Sequence, residues 1–313
     1  MRQHKTVDNS ISSDDLSGIR KRYPWIKMFS GDIECYIPPG YYDKLLKEYT
    51  FGGKSDLDIF RLYLKSLTLK PGCRVLELGG GTGRATKVFL DAIKNFGALD
   101  VIDLSPGMVS YLSRRFSRNR NVLVRTADNV DYLNKTKRKY DLVYSLWSFS
   151  HSAHQHMADE GLRRGSKYTE NSLEGFIKGN INPRGNFFVM HFDSLSEEQR
   201  ILMKQWAKDF HIFKKRSRQS PSKRLLDKIL KNLNGVYIHG LTTKYYAGDQ
   251  ILYNSLDELL EIFLNFHMET EYNRSRYLKR ALRDISNDAH KYCQPNGTYL
   301  IRPGCFVYSF QRL

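Results

Sequence analysis

Short apolar runs alternate with amphipathic helical patterns through the middle of this 313-residue chain. Each run is long enough for one buried strand, and the runs lie near residues 74–78, 99–103, 122–126, 140–145 and 186–192. Strands that alternate with helices predict a parallel sheet with right-handed crossover connections. A further run at 305–311 predicts one more strand close to the end of the chain.

The first of these runs leads directly into a glycine-rich turn. Glu77 lies near the end of the strand, and Gly79, Gly81 and Gly83 follow it. Glycine lets the backbone approach a ligand closely, and a strand, glycine turn and helix form the cofactor-binding unit of doubly wound sheets. A nicotinamide fingerprint needs a third glycine where Arg84 stands, and the Gly-Lys-Ser/Thr of a phosphate-binding loop does not follow Gly83.

Acidic residues end the next two strands as well. Asp103 closes the second strand, and Ser105 with Pro106 then supplies a helix cap and a first-turn proline. An acid in that position can accept hydrogen bonds from both hydroxyls of a ribose. Asp128 closes the third strand, and the fourth runs from Tyr140 toward its carboxyl end.

These four features, in this order, resemble the motifs of the class I S-adenosylmethionine-dependent methyltransferases. The resemblance implies an α/β fold, in which a doubly wound, seven-stranded, mostly parallel sheet ends in an antiparallel strand. It also implies S-adenosylmethionine as cofactor, with the Asp103 acid on the ribose, Leu104 packed on the adenine and Asp128 accepting from the adenine amino group. The cofactor-binding residues that it implies are Glu77, Gly79, Gly81, Gly83, Asp103, Leu104, Met108, Asp128, Asn129 and Leu146.

Helical patterns outside the core predict additions to this fold. Residues 1–70 are expected to form an N-terminal extension with lid helices, and residues 71–194 the cofactor-binding core. Residues 195–254 are expected to form an inserted helical cap above the carboxyl edge of the sheet, and 255–313 the C-terminal part of the core.

A tyrosine-rich segment lies ahead of the first strand. In the family, a Tyr-Asp segment in this place folds over the cofactor as a lid, and Gly52 with Gly53 would supply its hinge. The alternative is an ordinary amphipathic helix whose tyrosines pack on the core. If the segment is a lid, Tyr42 is a candidate catalytic residue and Tyr41 a candidate substrate contact.

The segment after the fourth strand carries the other candidates for chemistry. His151 and His154 are the leading general bases, because histidine titrates near neutrality. Trp147 and Phe149 are expected to contact the substrate. The alternative for the histidines is that they only form hydrogen bonds within a loop. Together with His156 they suggest a metal site, but no carboxylate partner of known geometry accompanies them, and no metal is predicted.

The net charge of +17 admits a polyanionic partner, and basic residues cluster at 214–224. No Asn/Asp-Pro-Pro-Tyr/Phe motif of the amino-methyltransferases that act on nucleic acids follows the fourth strand. We therefore expect methyl transfer to nitrogen or oxygen of a small polar metabolite. The alternatives are an RNA methyltransferase that uses the basic cluster and a non-catalytic scaffold that binds the cofactor.

Composition also bears on the compartment. No apolar run approaches the ~18 residues that a membrane span requires. The first residues lack the apolar segment of a secretory signal. The four cysteines lie far apart without a C-x-x-C pair. These features predict a cytoplasmic protein without a membrane partner.

Overall fold

The structure, a computed structural model, describes residues 18–19, 21–26, 43, 45–192, 195–209, 211–213, 219–264 and 278–313. The chain forms two compact units. The larger consists of Pro38–Ile251 and Arg302–Leu313, and the smaller of Met1–Ile37 and Leu252–Ile301. Within the described ranges, every helix is too short or too polar to span a bilayer.

The elements follow one another in the alternating order that the sequence predicts. A hairpin of β1 (Thr50–Phe51) and β2 (Lys54–Ser55) precedes α1 (Asp56–Lys65). The core then runs through β3 (Cys73–Leu78), α2 (Arg84–Ala92), β4 (Phe96–Asp103), α3 (Pro106–Arg115), β5 (Val122–Thr126), α4 (Asn129–Lys135) and β6 (Tyr140–Leu146). It continues through α5 (Phe149–Glu160), α6 (Leu162–Asn180), β7 (Ile181–Phe192), α7 (Glu197–Asp209), α8 (Pro221–Leu233) and β8 (Ile238–Ala247). The remaining elements are β9 (Ile251–Tyr253), α9 (Leu256–Ile262), α10 (Leu278–Ala289), β10 (Tyr299–Ile301) and β11 (Gly304–Arg312).

Seven strands form one sheet in the order β5-β4-β3-β6-β7-β11-β8. The strands from β3 to β7 run parallel to one another, and β11 is antiparallel to both of its neighbours. This arrangement confirms the predicted seven-stranded, mostly parallel sheet. Because the chain moves outward from β3 to β5 and then returns to β6 on the other side of β3, the order reverses between β3 and β6. Ligands of doubly wound sheets bind outside the carboxyl ends of the strands at such a switch point.

The strand β8 was not predicted from the sequence. It forms the edge of the sheet beside β11, and most of its residues are exposed. A buried strand carries a continuous apolar run, and a half-buried strand alternates apolar with polar residues. Because β8 is exposed on both faces, its sequence shows neither pattern.

The segment expected to be a cap over residues 195–254 contributes to the sheet layers instead. The apolar residues of α8 lie in the same core cluster as those of α5, α6 and β7. Thus α8 covers a face of the sheet, and β8 extends the sheet itself. Helix α8 ends at Leu233, shortly before Gly235 with its positive φ, and its apolar face packs in the core and not above the carboxyl edge, where the cap was expected.

The glycine pair expected to be a hinge closes the β1–β2 hairpin. Gly52 and Gly53 have φ of 61° and 73°. Two successive positive φ values are those of a two-residue hairpin turn that matches the twist of its strands. The amides of both glycines donate to the Asp249 carboxylate, at 3.1 and 2.9 Å. The pair is therefore a turn fixed by a side chain.

A buried carboxylate joins α1, α2 and the end of β6. Asp56 is fully buried, and the Arg84 guanidinium donates to both of its oxygens at 2.9 and 3.0 Å. The indole Nε1 of Trp147 donates to the same carboxylate at 2.9 Å. A buried charge is stabilised only when its partners are in place, so these three side chains depend on one another.

We predict that Asp56→Ala destabilises the protein by about 3–5 kcal/mol, because it leaves the Arg84 guanidinium without its counter-charge. Urea unfolding, followed by tryptophan fluorescence and circular dichroism, measures the change. Asp91→Ala, which breaks the exposed Asp91–Lys87 pair of α2, is the matched control and should cost less than about 1 kcal/mol. Equal losses in the two variants would contradict a buried anchor at Asp56.

Candidate cofactor and active site

The glycine turn after β3 lies at the switch point and folds back on β4. The amides of Gly79 and Gly80 both donate to the Ile102 carbonyl, at 2.8 and 2.9 Å. Gly79 has φ of 76°, and a Cβ built on it would lie 1.9 Å from the Ser148 hydroxyl, just beyond β6. Only glycine permits this close approach of the ends of β3 and β6. At Gly81, which also has a positive φ, the space a Cβ would occupy is open.

Asp103 holds this turn from the end of β4. Its Oδ2 accepts from the Gly81 amide at 2.7 Å, and its Oδ1 accepts from the Ser105 amide at 2.9 Å. Burial raises the pKa of Asp103, while these two backbone hydrogen bonds lower it in part. A carboxylate has about four acceptor positions, so Asp103 keeps at least one beyond its backbone hydrogen bonds. That capacity fits a ribose hydroxyl.

Glu77 lies beneath the turn and is only 2% exposed. Its Oε2 accepts from the hydroxyls of Thr86, at 2.6 Å, and Tyr144, at 2.9 Å. Burial raises the pKa of Glu77 to about 8, and the nearby Asp103 carboxylate adds to the rise. At neutral pH the Glu77 side chain is therefore mostly protonated.

Asp128 and Asn129 lie where β5 passes into α4. Asp128 caps α4 by accepting from the Asp131 amide at 2.9 Å. It also accepts from Ser152, and it pairs with His156 at 3.0 Å. Asn129, which is 5% exposed, donates from Nδ2 to the Ser148 hydroxyl, and among the described residues its Oδ1 has no hydrogen-bond partner.

The other expected cofactor contacts lie close to these acids. Leu104 and Leu146 are half-buried at the ends of β4 and β6. Met108 is buried in α3, where its amide donates to the Ser105 hydroxyl that caps the helix. The carboxyl edge thus brings the predicted acids and the glycine turn together.

The histidines that were expected in a loop lie on a helix, α5. Its buried residues Phe149, Ala153 and Met157 recur every four positions and pack on the core, but polar residues separate them and hide the pattern. The three histidines have different surroundings. His156 pairs with Asp128, His154 contacts α8, and the ring of His151 lies 6.0 Å from that of Phe192 at the end of β7.

His154 accepts a hydrogen bond and does not act as a free base. Its Nε2 accepts from the Ser222 amide at 3.2 Å, and its ring lies edge-on to Phe213 at 4.8 Å. Burial lowers the pKa of His154 well below its usual value. The ring is therefore neutral at physiological pH and holds the first turn of α8.

A further histidine, His191, was missed by the sequence analysis. It is buried near the end of β7, and its Nε2 lies 3.1 Å from the Ser222 hydroxyl. Burial lowers the pKa of His191 to about 4, so this ring is neutral too. The only signal in the sequence was its place close to the end of the fifth apolar run.

The structure places the aromatic residues that were expected to contact the substrate in different surroundings. Phe149 is the first residue of α5, and its side chain packs in the hydrophobic core, so the structure does not bring it to the site. Trp147 lies directly after β6 with φ of 66°, a strained value for a non-glycine residue. Its amide donates to the Met190 carbonyl and its ring packs 4.6 Å from that of Phe192, so its surroundings hold the strain. Tyr41 and Tyr42 lie outside the described residues.

One cluster of potential metal ligands occurs in the described part of the chain. Side-chain donor atoms of Asp128, Asp131 and His156 lie within 4.8 Å of one another. These groups already pair among themselves and with Ser152, Lys135 and Tyr168. Their arrangement is explained without an ion.

The pH dependence of stability should reveal the buried Glu77. A folded-state pKa of about 8, above the usual 4.5, means that the folded protein favours the protonated acid. Stability therefore falls as the pH rises from about 4.5 to about 8. We predict that Glu77→Gln, a neutral isostere, becomes progressively more stable than the wild type over this range, as measured by urea unfolding at several pH values. Glu174→Gln, on the surface of α6, is the control. A constant difference between Glu77→Gln and wild type would show that Glu77 is ionised throughout.

One comparison with known proteins supports a methyltransferase domain. The profile of the family described as "Methyltransferase domain" matches residues 75–167, from β3 into α6. No curated protein matches the sequence.

Among solved structures, YcgJ from Bacillus subtilis is similar to this chain with a TM-score of 0.46 at 11% identity, over 80% of this chain and 97% of YcgJ. The cyclopropane synthase MmaA2 from Mycobacterium tuberculosis has a TM-score of 0.46 at 14% identity, over 97% of this chain and 99% of its own. The N-methyltransferase NodS from Bradyrhizobium japonicum has a TM-score of 0.42 at 13% identity, over 82% and 88%. Likenesses of this degree add nothing to the assignment.

The assignment rests on the profile match, the order of the sheet and the residues at its carboxyl edge. The glycine turn, the acceptor capacity left on Asp103 and the Asn129 oxygen, which has no partner among the described residues, fit a nucleoside cofactor. Residues 75–167 are therefore a methyltransferase domain, and the sheet to which they belong has the class I, Rossmann-like order, in which S-adenosylmethionine is the methyl donor.

Proposed function

We propose that this enzyme transfers the methyl group of S-adenosylmethionine to a nitrogen or oxygen atom of a small polar metabolite. Glu77, the turn from Gly79 to Gly83, Asp103 and the pair Asp128–Asn129 would hold the cofactor. The bound cofactor supplies a methyl group on a sulfonium, which is already activated for displacement. The work left to the protein is to bind and orient the acceptor, to exclude water and to remove a proton where the acceptor carries one.

The observation that carries the proposal of a small substrate is the cover over the carboxyl edge. Three contacts, made by Asp43, Tyr49 and Asp56, join the described residues ahead of α1 and its first residue to elements around this edge. Asp43 accepts from Thr82 in the glycine turn at 2.6 Å, Tyr49 donates to the buried Glu198 of α7, and Asp56 holds the Trp147 indole. A covered edge narrows access to the switch point, which suits a small molecule better than a polymer.

The basic residues that the structure describes give little support to the alternative of an RNA substrate. Lys223 of the basic cluster is buried, pairs with Asp227 at 2.7 Å and lies over the Phe306 ring. On α3, Arg115 donates to the Thr82 carbonyl of the glycine turn. Both side chains make contacts within the protein. Residues 214–218 of the basic cluster lie outside the described ranges.

His151 is the candidate base that the surroundings favour. It lies in the first turn of α5, just past the end of β6, and its side chain is partly exposed. By contrast, His154 and His191 are neutral acceptors committed to Ser222. A base must come within about 3 Å of the proton it removes, directly or through one water.

Transfer from labelled cofactor tests the proposed function. The purified enzyme is incubated with methyl-labelled S-adenosylmethionine and a cell extract, and the products are separated by size before counting. We predict label in the small-molecule fraction that survives nuclease treatment. Label confined to a nuclease-sensitive, high-molecular-weight fraction would favour the RNA alternative, and binding of the cofactor without any transfer would favour a scaffold.

We predict that His151→Ala lowers turnover by about 10²–10⁴-fold while cofactor affinity stays within about threefold of wild type. Initial rates across pH, with cofactor binding measured by calorimetry, separate the two effects. His239→Ala, at an exposed position on β8, is the matched control. Normal turnover of His151→Ala at all pH values would leave positioning of the reactants as the mechanism and remove His151 from it.

A further inference from the structure

Helix α5 reaches the proposed adenine-binding acid with a face other than the one that carries His151. Ser152 and His156 are separated by one helical turn and therefore share a face. The Ser152 hydroxyl donates to Asp128 Oδ2 at 2.5 Å, and His156 Nε2 lies 3.0 Å from Asp128 Oδ1. The amide of Val130 donates in turn to the Ser152 hydroxyl at 3.3 Å. The hydroxyl is thus itself held in place.

These contacts use most of the hydrogen-bonding capacity of the Asp128 carboxylate. Oδ1 accepts from His156 and from the Asp131 amide, which fills its two acceptor positions. Oδ2 accepts from Ser152 alone among the described residues, which leaves it one position. The carboxylate is held at three points and can accept one further hydrogen bond.

The neighbouring residue indicates independently that a donor is expected here. The Asn129 side chain is 5% exposed and donates to Ser148, so its amide oxygen is left buried without a partner among the described residues. A buried acceptor of this kind costs free energy unless a ligand supplies the missing donor. Two consecutive residues thus offer acceptor capacity to a donor such as an amino group: Asp128 Oδ2 can accept one further hydrogen bond, and Asn129 Oδ1 has no donor among the described residues.

We propose that Ser152 and His156 are positioning residues that hold the Asp128 carboxylate so that one acceptor position, on Oδ2, is kept for the amino group of the cofactor's adenine. This inference rests on the proposed cofactor site. It gives α5 two roles, with the candidate base His151 on one face and the support of the adenine-binding acid on another.

Charge strengthens this support. The hydrogen bond to Asp128 raises the pKa of His156 against the effect of burial, and the carboxylates of Asp128, Asp131 and Glu160 add to the rise. Burial alone would raise the pKa of Asp128, but the hydrogen bonds from His156, Ser152 and the Asp131 amide lower it overall. Both shifts favour the ion pair, and the Tyr168 ring lies 5.0 Å from the imidazole.

Discrimination between two ligands tests the proposal. The first ligand is S-adenosylhomocysteine, and the second is its analogue with hydrogen in place of the 6-amino group of the purine. Calorimetry gives both dissociation constants for each variant, and their ratio measures recognition of the amino group. Loss of a hydrogen bond to a carboxylate should give wild type a ratio of roughly 10- to 100-fold. The double variant Ser152→Ala/His156→Ala should bring the ratio below about threefold.

His156→Gln is the conservative variant, because its amide N–H can still donate to Asp128. It should keep the ratio within about threefold of wild type, as should the control His239→Ala. A merely structural role would weaken the binding of both ligands equally and leave the ratio unchanged in the double variant, and that result would overturn the inference. Ser152→Ala alone, which removes one hydroxyl, should lower the ratio partway if the double variant does not fold, and an unchanged ratio there would also overturn it.

The variant Asp128→Ala distinguishes a failure of this inference from a failure of the proposed cofactor site. If Asp128→Ala loses discrimination while the double variant keeps it, the positioning role is wrong and the cofactor site stands. If Asp128→Ala keeps both affinity and discrimination, the assignment of Asp128 to the adenine is wrong, and the inference fails with it.

Discussion

A carboxylate that leaves water must be given hydrogen-bond donors, and this constraint organises the carboxyl edge of the sheet. Glu77, Asp103 and Asp128 follow one another along β3, β4 and β5, and each is met by a different solution. Glu77 is protonated and accepts from two hydroxyls, Asp103 accepts from two backbone amides, and Asp128 is paired with an imidazole. The three acids have different donors because Glu77 is buried, whereas Asp103 and Asp128 are half-buried. Asp103 and Asp128 both keep acceptor capacity for a ligand.

The same constraint applies to Asp56, whose contacts connect α1, α2 and the end of β6. Asp56 is fully buried and holds both Arg84, at the start of α2, and the indole of Trp147, at the end of β6. Trp147 tolerates its positive φ because its amide, its indole N–H and its ring are all engaged. Strained backbone is common at functional sites, and the Asp56–Arg84 ion pair supports one of the contacts that hold it here.

Much of this architecture was predictable because it depends on local patterns. The buried strands β3, β4, β6, β7 and β11 carry apolar runs and were found, as was β5, which keeps a short apolar run although it is largely exposed at the sheet edge. The glycine turn and the acids indicated the cofactor class. By contrast, β8 is exposed at the sheet edge and has no apolar period. The helix α5 was missed because polar residues separate the apolar positions of its buried face, which made its histidines look like a loop.

The partners of the acids were beyond sequence analysis for a different reason. Asp128 meets Ser152 and His156 across 24 and 28 residues of chain, and Asp56 meets Trp147 across 91. Such pairs arise only when the sheet brings distant segments together. Local spacing could indicate which acids are candidates to bind the cofactor, but not which donors hold them. Nor could it show that His154 is committed to α8 while His151 remains partly exposed.

A crystal structure with S-adenosylhomocysteine would test the central claim most directly. The account predicts the purine amino group within hydrogen-bond distance of Asp128 Oδ2, and the ribose hydroxyls on the Asp103 oxygens. It also predicts that Ser152 and His156 keep their hydrogen bonds to Asp128 in the complex. A ligand bound away from the switch point between β3 and β6, or one whose adenine leaves both Asp128 and Asn129 without a new partner, would contradict it.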